Sequence, residues 1–109
     1  MDLTSTAAGS ARIVKVHAAR IDAAMAVQFK EDMRQMIEGG PDHVILDLSE
    51  VEFIDSSGLG AIVASMKLMK GGRLDLAGLT PMVDKVFRLT RMDTVFKLFN
   101  SIDDACAAL

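Results

Sequence analysis

The sequence predicts an α/β domain with a mixed, mostly parallel β-sheet. Three observations lead there. Short runs rich in Val, Ile and Leu alternate with longer segments whose apolar residues recur every three or four positions. One run, His43 to Leu48 (HVILDL), is almost continuously apolar, as in a central strand buried on both faces. Glycine pairs and a proline separate the segments where a helix must stop and a strand begin.

In chain order, residues 1–10 read as an edge strand or flexible N-terminal segment ending in the turn former Gly9. Residues 11–18 carry β-branched Ile13, Val14 and Val16 and read as a strand. Asp22 then offers a side-chain cap for a first helix, along which Met25, Phe29, Met33 and Met36 recur at helical spacing. Gly39-Gly40-Pro41 stops it. After the central strand, a turn at Ser49-Glu50 leads through VEFI into Asp55-Ser56-Ser57-Gly58. A second helix is predicted over Leu59 to Lys70, with Ile62, Met66 and Met69 on one side, ended by Gly71-Gly72. Arg73 to Ala77 alternates as a strand. Thr80-Pro81 opens a third helix, because proline's missing donor costs nothing at a first helical position. Its predicted stripe is Met82, Val86 and Leu89. Thr94 to Phe99 alternates as a last short strand, and Ser101 with Asp104 caps a final helix turning Ile102, Ala105, Cys106 and Leu109 to the core. The expected total is about five strands and four helices, the helices mainly on one face.

The 109 residues fit one domain. Half are hydrophobic and mean hydropathy is +0.30, which excludes a disordered chain. The longest low-charge stretch, Gly58 to Met66, is half of what a bilayer span requires, so no membrane insertion is expected. The N-terminus lacks the basic start and apolar run of a secretory signal, and the single Cys106 forms no internal disulfide and no metal-ligand spacing; a cytoplasmic location is expected. Net charge is −3 and the pI is near 5.2, which argues against direct nucleic-acid binding. Residues 1–55 hold five Lys/Arg against ten Asp/Glu, whereas 56–109 hold seven against five.

No nucleotide-binding glycine motif, nucleophile elbow or metalloprotease motif is present, so no enzyme, cofactor or metal site is expected. His17 and His43 read as strand histidines, Asp47 as a hydrogen-bonded structural carboxylate, and Cys106 as a small core hydrophobe. The informative stretch is Asp47 to Gly60, DLSEVEFIDSSGLG. Asp55, Ser56 or Ser57 can each cap the second helix. A hydroxyl left over is a candidate phosphorylation switch: a phosphoryl group adds about −1.5 to −2 charge at neutral pH. The amino end of a helix tolerates that charge while a docked interface does not.

The stretch VILDLSEVEFIDSSGLGAIV, with LAGLTPMVDKVFRLTRMDTVFKLF after it, resembles the anti-sigma-factor antagonists, single-domain members of the STAS (sulphate transporter and anti-sigma factor antagonist) family. The resemblance runs from about Arg12 to the C-terminus and implies a STAS domain over 11–109. It implies phosphorylation at Ser56, the serine directly after the aspartate, by an anti-sigma factor that is a GHKL-type serine kinase; Ser57 is second choice. It also implies a partner surface formed by Asp22, Asp55, Ser56, Ser57, Gly58 and Leu59. The family's Gly-x-Leu/Ile-Asp before the first helix reads Ala19-Arg20-Ile21-Asp22 here, without the glycine. The implied mechanism is partner switching: the unphosphorylated protein binds the kinase and frees a sigma factor, and a serine phosphatase restores binding after phosphorylation. The alternatives are a STAS subunit held stably on a membrane ABC transporter of the lipid type, and a serine hydrolase using Ser56. The chain is expected to be a monomer or a weak homodimer through an edge strand.

Overall fold

A computed structural model describes residues 2–109; the part of the predicted N-terminal segment that falls on Met1 lies outside them. Five strands form one sheet: β1 (Leu3–Ala8), β2 (Ala11–Val16), β4 (His43–Asp47), β6 (Arg73–Ala77) and β7 (Leu98–Phe99), in spatial order β1-β2-β4-β6-β7. The β1–β2 hairpin is antiparallel, turning at Gly9 with φ +59°, and every later pairing is parallel. A second, two-stranded sheet joins β3 (Arg20–Ile21) to β5 (Phe53–Ile54) in parallel. The helices are α1 (Ala23–Ile37), α2 (Ser56–Lys67), α3 (Pro81–Leu89) and α4 (Ile102–Ala107).

β4 is central because both of its faces are apolar. Val44 and Leu46 point into the main core with Val14, Val16, Leu74 and Leu76, where Phe29 and Met33 of α1 and Ile62 of α2 cover them. Ile45 points the other way, into a small cluster with Ala11, Ala77 and Ala105 of α4. Hence α1, α2 and α3 lie on one face and α4 alone covers the other.

Five local expectations are corrected. The β3–β5 pair is absent from the sequence reading, since two residues per strand leave no periodicity. α2 begins at Ser56, three residues before the predicted start, because Asp55 caps it from outside and leaves both serines helical. In α3 the inward residues are Val83 and Phe87, fully buried, whereas Met82 and Leu89 are exposed. That helix has two apolar stripes about a hundred degrees apart, and spacing alone cannot say which one faces the sheet. Residues 94–99 are not one strand: Met92–Thr94 is a 3-10 turn, and only Leu98–Phe99 pairs with β6. Finally, Cys106 is half-buried and Leu109 exposed, so α4 turns mainly Ile102 and Ala105 inward.

Candidate functional site

The two-stranded sheet sets the site. Arg20 lies opposite Phe53 and Ile21 opposite Ile54. β3 runs directly into α1 and β5 into α2, so the two helices start side by side although Ala23 and Ser56 stand 33 positions apart in the sequence. The backbone amide of Asp55 donates to the Ile21 carbonyl at 3.4 Å, continuing the pairing to the helix boundary.

One carboxylate closes both helix starts. Asp55 is the N-cap of α2, where its Oδ1 accepts from the Gly58 amide at 2.9 Å. Its Oδ2 accepts from the Ala23 amide, at the first position of α1, at 3.1 Å. These bonds favour the charged form. The Gly58 amide does most to hold the Asp55 carboxyl below the usual range, partial burial opposes it, and the Ala23 and Ser57 amides and the Arg20 charge add to the lowering.

With Asp55 as the cap, the alternatives left open by the sequence close: neither serine is needed there. Ser56 and Ser57 occupy the first two positions of α2 and are exposed, and neither hydroxyl makes a hydrogen bond among the described residues. Gly58 is buried, and a Cβ on it would lie 1.9 Å from the Ile21 carbonyl oxygen. Gly60 is exposed with open space where a Cβ would stand, so only the first of the two glycines is demanded by packing. Leu59 is half-buried against the main core.

Asp22 is in the N-cap position of α1, but its side chain caps nothing, which corrects the expectation. The Ala23 amide goes to Asp55 instead, and the Met25 amide donates to the Asp22 main-chain carbonyl at 3.0 Å. Asp22 Oδ2 lies 3.3 Å from Arg20 Nε, and Oδ1 is buried with no hydrogen-bond partner. The sequence alone does not single out Arg20. Its guanidinium stacks over the Phe53 ring, 4.1 Å from the centroid. No local signal finds this contact, because it depends on a strand register closed across the whole of α1 and β4.

The remaining candidate groups lie elsewhere. His43 Nε2 is 2.7 Å from the buried Asp75, whose other oxygen accepts from Arg73 Nε at 2.8 Å. His17 contacts Thr4 Oγ1 at 2.8 Å and Glu50 at 3.2 Å. Both histidines are engaged with these partners, and neither is hydrogen-bonded to Ser56 among the described residues. Asp47 Oδ1 accepts from the Ser49 amide at 3.0 Å, as a structural carboxylate does. Among the described residues no group of three or more His, Cys, Asp or Glu is placed to hold a metal, and no helix is long and apolar enough to cross a membrane. What the arrangement offers is an exposed pair of hydroxyls, unbonded among the described residues, on an acid-capped helix start.

An α/β domain with a parallel core sheet and a capped D-S-S-G helix start defines a class, and the comparisons with known proteins agree with it. The chain belongs to the STAS domain family, whose model matches residues 4–105. It is 30% identical over 90 residues to BtrV of Bordetella bronchiseptica, provisionally named an anti-sigma factor antagonist, covering 81% of this chain and 78% of that one. A crystal structure of an anti-sigma factor antagonist from Mycobacterium paratuberculosis superposes with a TM-score of 0.86 at 26% identity, covering 98% of this chain and 92% of the other. A sulfate transporter family protein from Wolinella succinogenes shares the fold alone, with a TM-score of 0.77 at 21% identity over 92% and 84% of the two chains.

Proposed function

We propose that the protein is an anti-sigma-factor antagonist that works by partner switching, with Ser56 as the phosphorylated residue. The observation that carries this reading is the division of labour at the start of α2: Asp55 does the capping, and the Ser56 hydroxyl is exposed and unbonded. A residue that stabilises nothing can be modified without unfolding the helix. In the unphosphorylated state the surface around Asp22, Asp55, Ser56, Ser57 and Leu59 docks on an anti-sigma factor, a GHKL-type serine kinase, and a sigma factor is freed. The kinase then transfers the γ-phosphoryl of ATP: the Ser56 Oγ–P bond forms, the bond to the ADP oxygen breaks, and the hydroxyl proton passes to a base on the kinase. The phosphate brings about −1.5 to −2 charge next to Asp55 and expels the partner. A serine phosphatase reverses the step by hydrolysis.

Gly58 contributes from below this surface: its missing side chain lets α2 rest on Ile21. The test is intact mass after mixing with the cognate anti-sigma kinase and ATP. One added phosphoryl group is expected on the parent chain and none on Ser56→Ala. An unmodified parent chain, or equal modification of both, overturns the reading. Constitutive co-purification with a transporter ATPase, indifferent to Ser56→Asp, supports the membrane-transporter subunit instead.

A further inference from the structure

A phosphate on Ser56 needs a counter-charge. At a helix start the first-turn amides ordinarily serve, but here the Gly58 and Ala23 amides are both taken by Asp55. The first turns of α1 and α2, Ala23-Ala24-Met25-Ala26 and Ser56-Ser57-Gly58-Leu59, contain no Lys or Arg. Arg20 pairs with Phe53, three residues before Ser56, and its charge reaches the Asp55 carboxyl that lies between them in sequence.

Arg20 is also placed and equipped for the task. Its guanidinium is held flat on Phe53, and only Nε is engaged, at the long distance of 3.3 Å from Asp22. The two terminal NH2 groups donate to nothing among the described residues, and the side chain is 56% exposed. A planar guanidinium with free terminal donors matches two phosphate oxygens at once.

We propose that Arg20 is the receptor for a phosphate on Ser56, taking two of its oxygens in a forked pair and loosening its hold on Asp22. The proposal rests on the reading of Ser56 as the phosphorylated residue and adds a second element to the switch. Asp22 Oδ1 is already without a hydrogen bond. Once Arg20 turns to the phosphate, Asp22 loses its one cation, so the same surface gains the phosphate's charge and an uncompensated carboxylate.

The experiment uses the full chain with phosphoserine incorporated at position 56 during translation, so no kinase is involved. The second ionisation of the phosphate is followed by phosphorus NMR against pH. Asp22 and Asp55 raise that pKa and Arg20 lowers it, so the comparison between variants carries the result. Arg20→Gln is expected to raise the phosphate pKa by about half a unit to one unit, with Arg20→Lys in between. Equal values in the parent and Arg20→Gln chains overturn the proposal. Should Arg20→Gln fail to fold, nitrogen NMR of the Arg20 guanidinium decides in the parent chain: its signals are expected to move on phosphoserine incorporation, and unmoved signals overturn it. A kinase that ignores Ser56 would sink the functional reading and leave this measurement intact; an unchanged phosphate pKa would do the reverse.

Discussion

Gly58 rides on the backbone of Ile21, so closely that a Cβ at position 58 would stand 1.9 Å from the Ile21 carbonyl oxygen. That contact lays the first turn of α2 against β3 and brings Ser56 beside the start of α1. It sets apart two glycines that look equivalent in the DSSGLG stretch. Gly58→Ala forces the helix off the strand and is expected to cost about 1–3 kcal/mol, as overpacking of a well-filled core does. Gly60→Ala adds a methyl group to open space on an exposed helical turn and is expected to stabilise by about 0.5–1 kcal/mol. Urea unfolding of the two variants checks both signs; a loss at Gly60 as large as that at Gly58 would contradict the packing argument.

The two aspartates at the helix starts are expected to differ in the same way. Asp55→Ala removes hydrogen bonds to the Gly58 and Ala23 amides and uncaps two helices at once. Ser101→Ala removes one bond, from the Asp104 amide to the Ser101 hydroxyl, on the short α4, at a cost of about 1 kcal/mol. Asp55→Ala is therefore expected to be the more damaging of the two. Asp22→Ala deletes a side chain that caps nothing and holds a buried, unbonded oxygen, so a change within about 0.5 kcal/mol is expected. Thermal midpoints of the three variants order them, and a large loss at Asp22 with little at Asp55 would reverse the assignment of the cap.

Which features were legible follows from the distance over which each is specified. The central strand and the four helices are written in runs of five or more residues, and the sequence shows each of them. The DSSG stretch marks the candidate site because hydroxyls, a carboxylate and a flexible residue crowd one turn. Its inner workings were not legible. Asp22 and Asp55 carry the same cap chemistry, and only the parallel pairing of Arg20–Ile21 with Phe53–Ile54 decides that Asp55 serves both helices. Arg20 is not legible for the same reason: its partner Phe53 is a non-local neighbour. In α3, Met82 and Leu89 were as apolar as Val83 and Phe87, and the choice between the stripes belongs to tertiary packing.

The Asp55 carboxyl also makes the molecule acid-sensitive. Its amide partners hold the folded-state pKa below the usual carboxylate range, the Gly58 amide most strongly. A group lowered in this way contributes stability that is fully present above its unfolded pKa and is lost as pH falls through the folded one. Protonation converts an acceptor of two amide bonds into a poorer one. Asp55→Asn keeps one amide acceptor and has no such proton to gain. Stability of the parent chain is expected to fall more steeply than that of Asp55→Asn below about pH 4, so the gap between them narrows with acidification. Denaturant midpoints at pH 7, 5 and 3 measure the gap; a constant difference would mean that Asp55 does not titrate on unfolding.

Phe96 gives a last prediction, because it explains why residues 94–99 are not a continuous strand. The chain turns at Arg91, with φ +63°, and winds through the 3-10 turn at Met92–Thr94. It thereby delivers Phe96, 3% exposed, edge-on to Phe87 of α3 with ring centroids 6.1 Å apart and planes at 80°. A strand through these residues would give up that contact and leave the end of α3 unsealed. Phe96→Ala is expected to cost about 3–5 kcal/mol, as for a buried aromatic cut to a methyl. Leu89→Ala, on the outward stripe at 72% exposure, is expected to change stability by no more than about 0.5 kcal/mol. A double-mutant cycle between positions 87 and 96 is expected to return about 0.5–1.5 kcal/mol of coupling from the ring pair. Coupling near zero would assign Phe96 to general core filling, and a loss at Leu89 matching that at Phe96 would mean that the outward stripe of α3 is covered after all.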